Sequence, residues 1–251
     1  LIFIIHHSSF LKTYLSFRPC FHRMKEPLLY RIQDGGPIYQ EPLVDGLFLE
    51  PWNAWSSLLF WLPVFWLIWR HRKVGSVGPF LLYFCAPLLF VGGLGSALYH
   101  GLRSTPFFLY LDVMPILLLC LGLGWFLWKQ LLGLYWAWLA LLLFIAASVL
   151  AGLLVSGTPG INLNYFLRGV FMFLPALLCL QRMAWRHSPW LLAAVGLFGM
   201  ALWFRVIDRD FSWLPMGTHF LWHVCCGIGA LFLGKFLVRL RKGIALKVYA
   251  G

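Results

Sequence analysis

Residues 91–125 read VGGLGSALYHGLRSTPFFLYLDVMPILLLCLGLGW. Two apolar runs are separated by the short break GLRSTP, and neither shows the period-two alternation of a half-buried strand. Extended to their full lengths, both runs reach the roughly 20 mostly apolar residues that a helix needs to cross a bilayer. The same pattern repeats outward in both directions, giving seven apolar runs at about 52–69, 79–100, 106–128, 131–155, 163–181, 189–207 and 216–238. Of the 251 residues, 61% are hydrophobic and 11% charged, against about a quarter charged in a soluble domain. The sequence therefore predicts an all-α polytopic membrane protein, a bundle of seven transmembrane helices without a separate soluble domain.

The flanks divide the chain further. Residues 1–24 open on Leu1 and close on Met24, and are read as an N-terminal extension, non-native or disordered. Residues 25–50 are polar and turn-rich and are expected outside the hydrocarbon; they hold Glu26, Asp34, Glu41, Asp45 and Glu50, five of the eight acidic residues. Residues 51–240 form the membrane domain, and 241–251 a basic tail.

The formal charge is +12, and its distribution argues against nucleic-acid binding, because no basic stretch is interleaved with polar contact residues. Instead the odd-numbered runs end in Lys and Arg: Arg70, Arg72 and Lys73; Lys129; Arg182 and Arg186; Arg239, Arg241 and Lys242. The positive-inside rule then puts the N-terminus outside and the C-terminus in the cytoplasm. Arg168 fits this scheme least well and is expected to snorkel or to pair inside the bundle. The six cysteines form no CxxC pair, and most lie in apolar runs, so no disulfide framework is expected.

Ionisable groups inside spans are costly and mark function. Ser96 and His100 close the second run, Asp112 lies early in the third, and His219 and His223 open the seventh. With alternating directions these positions share one depth, one to two turns below the outer face. His219 and His223 are four residues apart and so share a helix face, the spacing of paired zinc ligands. Three imidazoles leave a fourth position for water, as in catalytic zinc sites. Asp112 is then a base or a group orienting a ligand, and Ser96 a hydrogen-bond donor to an oxyanion. Ser96 alone also reads as a packing residue, because GLGS is a small-residue stretch. His71 and His187 lie among Arg neighbours and read as loop residues.

The pattern S-x3-H, D, H-x3-H, with the stretches EPWNAWSSLLF, GSALYHGLRSTPFFLYLDVMPI and GTHFLWHV, resembles the alkaline ceramidase family, and especially its bacterial members. That family belongs to a superfamily of seven-helix membrane hydrolases that includes the adiponectin receptors. The resemblance covers about 45–125 and 205–235. It implies zinc on His100, His219 and His223, Asp112 as acid/base and Ser96 beside the metal. The implied reaction is hydrolysis of ceramide to a sphingoid base and a fatty acid. The implied partners are a lipid substrate and the bilayer, and the implied location is a bacterial inner membrane. Animal members bind calcium through acidic residues ahead of the first helix. Glu50 fits the last of those positions and Glu41 another, but Pro37 and Ile38 stand where the earlier aspartate belongs, with Asp34 and Asp45 nearby. The alternative for these groups is a set of solvated loop carboxylates capping the bundle. A lipid sensor with a structural zinc site is the competing function; a proton-relaying transporter fits less well, because the polar groups cluster at one depth.

Overall fold

The computed structural model describes residues 32, 34–75, 77–211 and 213–248, with side chains as far as Leu240. The extension assigned to residues 1–24, residues 25–31, and the side chains of the tail at 241–251 lie outside the described residues.

The described residues form seven helical rods and no strand. The first, α1, runs Pro51–Ser57, passes through a 3-10 turn at Leu58–Phe60 and continues Trp61–Val74. Then come α2 (a π-helical start at Phe80–Cys85, then Ala86–Leu102), α3 (Pro106–Leu132), α4 (Leu134–Leu154), α5 (Gly157–Arg182), α6 (Ser188–Ile207) and α7 (His219–Val248). Helices α2 to α7 give six segments long and apolar enough to cross a membrane. The straight pieces of α1 are only 7 and 14 residues long. Its break has a chemical cause: Pro63 has no N–H to donate to the Leu59 carbonyl four residues back.

Two boundaries differ from the sequence reading. SGTPG at 156–160 reads as a turn, yet α5 begins at Gly157, since proline is tolerated in a first helical turn. Conversely, α7 begins at His219 rather than 216 and continues to Val248, so the tail starts as a prolongation of that helix.

The chain reverses direction at each connection. α1 packs between α2 and α7, α3 joins α2 to α5, and α4 lies outside against α3 and α5. Only 11% of α4's most apolar window is buried, which makes it the helix most exposed to the surroundings. Two close approaches set the spacing of the rest. A side chain at Gly95 in α2 would meet the Leu111 carbonyl oxygen at 2.2 Å, and one at Gly227 in α7 would meet the Leu59 backbone at 2.8 Å. The small-residue reading of GLGS is therefore right for Gly95, and the contact it allows brings Ser96 beside the start of α3.

The main apolar core fills one half of the bundle, around Leu67, Leu127, Leu180, Leu191 and Phe236. The other half, where α1, α3 and α7 begin and α2 and α6 end, holds the buried polar residues. Arg168 is held against the Tyr165 ring, its guanidinium carbon 4.7 Å from the ring centroid. It thus pairs inside the bundle, through an aromatic face rather than a carboxylate. The five described cysteines, Cys85, Cys120, Cys179, Cys225 and Cys226, are free.

Candidate metal centre

His100 from the last turn of α2 and His219 and His223 from the first turns of α7 meet in the polar half. Their ring centroids are 5.2, 5.0 and 4.7 Å apart. One ring nitrogen from each comes within 4.8 Å of the others, so the buried trio can hold a metal ion.

Each histidine is oriented by a different part of the chain. His100 Nδ1 is 2.6 Å from Glu50 Oε2; an N–H donated to this carboxylate leaves Nε2 as the free acceptor, and Nε2 is buried with no partner. His223 Nδ1 is 2.9 Å from Ser56 Oγ and 3.3 Å from Ser57 Oγ. Both hydroxyls donate to the Asn53 carbonyl, which leaves their lone pairs for the imidazole N–H. The His219 backbone N–H donates to Asp208 Oδ1 at 2.8 Å, and so does that of Thr218. The ring of His219 lies under that of Tyr39, with centroids 3.9 Å apart, and its Nδ1 is buried without a partner.

Unpaired polar atoms are costly in an interior. Two ring nitrogens of the trio, His100 Nε2 and His219 Nδ1, are buried without a partner, and a three-imidazole donor set suits a metal ion. Carboxylate and hydroxyl partners on the far ring nitrogens are the usual means of orienting metal-bound imidazoles.

Asp112 and Ser96 flank the trio. The Ser96 hydroxyl is 2.9 Å from that of Ser57, and the Asp112 carboxyl lies near Ser96. Ser96 is buried, whereas Asp112 is partly open. All five residues predicted from sequence therefore come together at one end of the bundle. Glu41 and Glu50 come to the same end, each with hydrogen-bond partners of its own. Glu41 accepts hydrogen bonds from the backbone N–H groups of Trp52 and Asn53 at 2.7 and 2.9 Å, capping α1 from a distance. Glu50 is shared between His100 and Arg103. Burial pushes both carboxyls up from the usual range, Glu41 to about 7 against opposing hydrogen bonds from Asn53 and Trp52.

No protein-family model matches this chain, and no curated protein matches it.

Several site residues escape sequence reasoning. Ser56 and Ser57 look like ordinary small residues of a spanning helix. Asp208 lies eleven residues ahead of the histidine it supports, well outside the spacing of a local helix cap. Tyr39 reaches over the histidines from the N-terminal segment, and burial raises its phenol well above the ordinary value, so it stays protonated. Tyr39 lies near Arg205, whose Nε donates to Asn162 Oδ1 at 3.1 Å and whose guanidinium lies 4.5 Å from the Tyr165 centroid and 5.3 Å from that of Trp222. Arg205, two residues from the end of α6, reads from sequence only as a residue near a loop.

Proposed function

We propose that this chain is a membrane-embedded zinc-dependent amidase that hydrolyses ceramide, or a similar N-acyl lipid, to a sphingoid base and a free fatty acid. One observation carries the reading: a buried hydroxyl and a partly open carboxylate, Ser96 and Asp112, stand at the same end of the bundle as three oriented histidines. A purely structural zinc site is closed and has no use for a partly open acid. The competing reading, a lipid sensor on the same scaffold, leaves Asp112 and Ser96 without a task.

His100, His219 and His223 are the residues that would hold the zinc. When bound, the ion supplies Lewis acidity that polarises a carbonyl and makes water more acidic. Asp112 accepts a proton from the attacking water and returns it to the leaving nitrogen. The new C–O bond forms as the amide C–N bond breaks, so one water and one amide yield one carboxylic acid and one amine. Ser96 holds Asp112 in position and donates to the oxygen that gains charge. The oriented shell of Glu50, Ser56, Ser57 and Asp208 means that little reorganisation is needed during reaction.

The site lies at the end of the bundle opposite Arg70, Lys129 and Arg182. Under the positive-inside rule that end faces outward, with the C-terminus cytoplasmic, as in a bacterial inner membrane. A substrate that stays in the bilayer suits a site within one or two helical turns of the interface.

The test is direct. Purified protein should contain about one zinc per chain, and should release fatty acid from a fluorescent ceramide or from one of a panel of N-acyl lipids. His219→Ala should lose both metal and activity. A folded preparation that binds no zinc, or zinc-loaded protein that cleaves none of the panel, would rule the reading out.

A further inference from the structure

Arg103 is the largest fully buried side chain among the described residues. It sits just past the end of α2, three residues after His100, with a left-handed backbone (φ 48°) that a non-glycine residue adopts at a cost. Its guanidinium is enclosed by oxygen. Nε donates to Asp34 Oδ2 at 2.5 Å, Nη2 to Asp34 Oδ1 at 3.2 Å and to the Pro37 carbonyl at 3.0 Å, and Nη1 to Glu50 Oε1. The rings of Tyr99 and Tyr39 flank it at 4.8 and 5.6 Å. Glu50, through its second oxygen, holds Nδ1 of His100.

Two buried carboxylates without a cation are strongly unfavourable. A protein can meet that need with a bound divalent ion, which takes carboxylate and backbone carbonyl oxygens, or with a side chain. Here a side chain meets it. We propose that Arg103 is the built-in cation of this cage and a positioning residue for His100, so that the metal centre is organised without a second metal ion. The single positive charge balances one carboxylate. The remaining negative charge falls on Glu50, beside the imidazole N–H, where it strengthens His100 as a ligand. The fork of the guanidinium also fastens the N-terminal segment, through Asp34 and Pro37, to the helix end that carries His100. Without the guanidinium, the Asp34 and Glu50 carboxylates and the Pro37 carbonyl leave oxygens of the kind Ca²⁺ takes, with water filling the rest of its coordination.

The proposal rests on His100 being a metal ligand, and its test reads metal binding rather than hydrolysis. Full-length protein in detergent is titrated with Co²⁺, whose visible absorption reports ligation by the histidines, with and without Ca²⁺ at about 1 mM, the range of weak calcium modules; Tm is followed in parallel. Wild-type protein should show the same Co²⁺ affinity and Tm in both conditions. Arg103→Ala should bind Co²⁺ about 10- to 100-fold more weakly and recover on addition of Ca²⁺. Arg103→Lys should keep most of the affinity without it. Wild-type protein that gains affinity or Tm from Ca²⁺ overturns the proposal, as does Arg103→Ala binding Co²⁺ like wild type in its absence. Should Arg103→Ala fail to fold in either condition, the wild-type titration and Arg103→Lys decide by the same criteria. If wild type binds no Co²⁺, the metal reading fails, while a Ca²⁺-dependent Tm in Arg103→Ala and not in wild type still supports the cage, and its absence overturns it.

Discussion

In the half of the bundle around Leu67, Leu127, Leu180 and Phe236, the interior is apolar side chain against apolar side chain. In the opposite half, the interior includes Asp34, Glu41, Glu50, Asn53, Ser57, Ser96, His100, Arg103, Asp208, Thr218, His219 and His223, all buried. Packing of the first kind tolerates exchange of shape, provided volume is kept. The second kind does not, because each buried polar atom needs its own partner and the loss of one strands another. The polar half accordingly recruits chain from outside the helices: the segment from Asp34 to Glu50 and the turn after α6 both reach in to supply partners. Even the connection between them is polar, since Asp208 Oδ2 accepts from the Gln40 backbone at 2.9 Å.

The sharpest way to separate the halves is Asp112→Asn. It should lower hydrolysis by about 10²- to 10⁴-fold with zinc content and Tm near wild type, because the carboxylate lies beside the histidines rather than among the groups that orient them. Loss of zinc along with activity would mean that Asp112 orients a ligand instead of moving protons.

Phe236→Ala tests the other half. Phe236 is fully buried in the apolar core, and truncation should cost about 3–5 kcal/mol, seen as a lower Tm, with Co²⁺ affinity unchanged. A parallel fall in metal affinity would show that the halves are mechanically coupled.

Asp208→Ala should have a smaller effect on stability, on the order of 1–2 kcal/mol, the usual cost of a lost helix cap. It should also weaken metal binding, since His219 loses the anchor of its backbone. An unchanged Co²⁺ titration would show that the stack with Tyr39 suffices to hold the ring.

The mildest effect is expected at Glu41. Its folded-state value of about 7 lies above the ordinary 4.5 because burial outweighs its hydrogen bonds from Asn53 and Trp52. Between these values the folded protein keeps a proton that the unfolded chain releases, so this group's contribution is full below pH 4.5 and is lost as pH rises through about 7. Glu41→Gln, always neutral and still an acceptor, should flatten that part of the Tm profile. A wild-type Tm that does not fall over this range would contradict the assignment.

The polar half was legible in part before any coordinates. His100, Asp112, His219 and His223 stand out because ionisable residues in apolar runs are rare, and helix direction converts their positions into a common depth. What stayed hidden was the support. Glu50 and Glu41 read as candidate calcium ligands, and their partners proved to be an arginine, an imidazole and backbone N–H groups. Arg103 reads as one more loop cation, and nothing local indicates that it is enclosed by a segment more than sixty residues away.

The amino-acid sequence by itself determined the helices, their number and order, and the end of the bundle at which the histidines collect. Those features follow from hydrophobic run length and from the i, i+4 geometry of a single helix, both local properties. Only the tertiary structure decided which atoms hold the histidines in place. Glu50 to His100, Ser56 to His223 and Asp208 to His219 are each made where helices and loops pack, by groups whose hydrogen-bonding capacity has no period along the chain. The close contact of Gly227 with Leu59 brings α7 against α1, where Ser56 meets His223, and burial then makes each pairing obligatory.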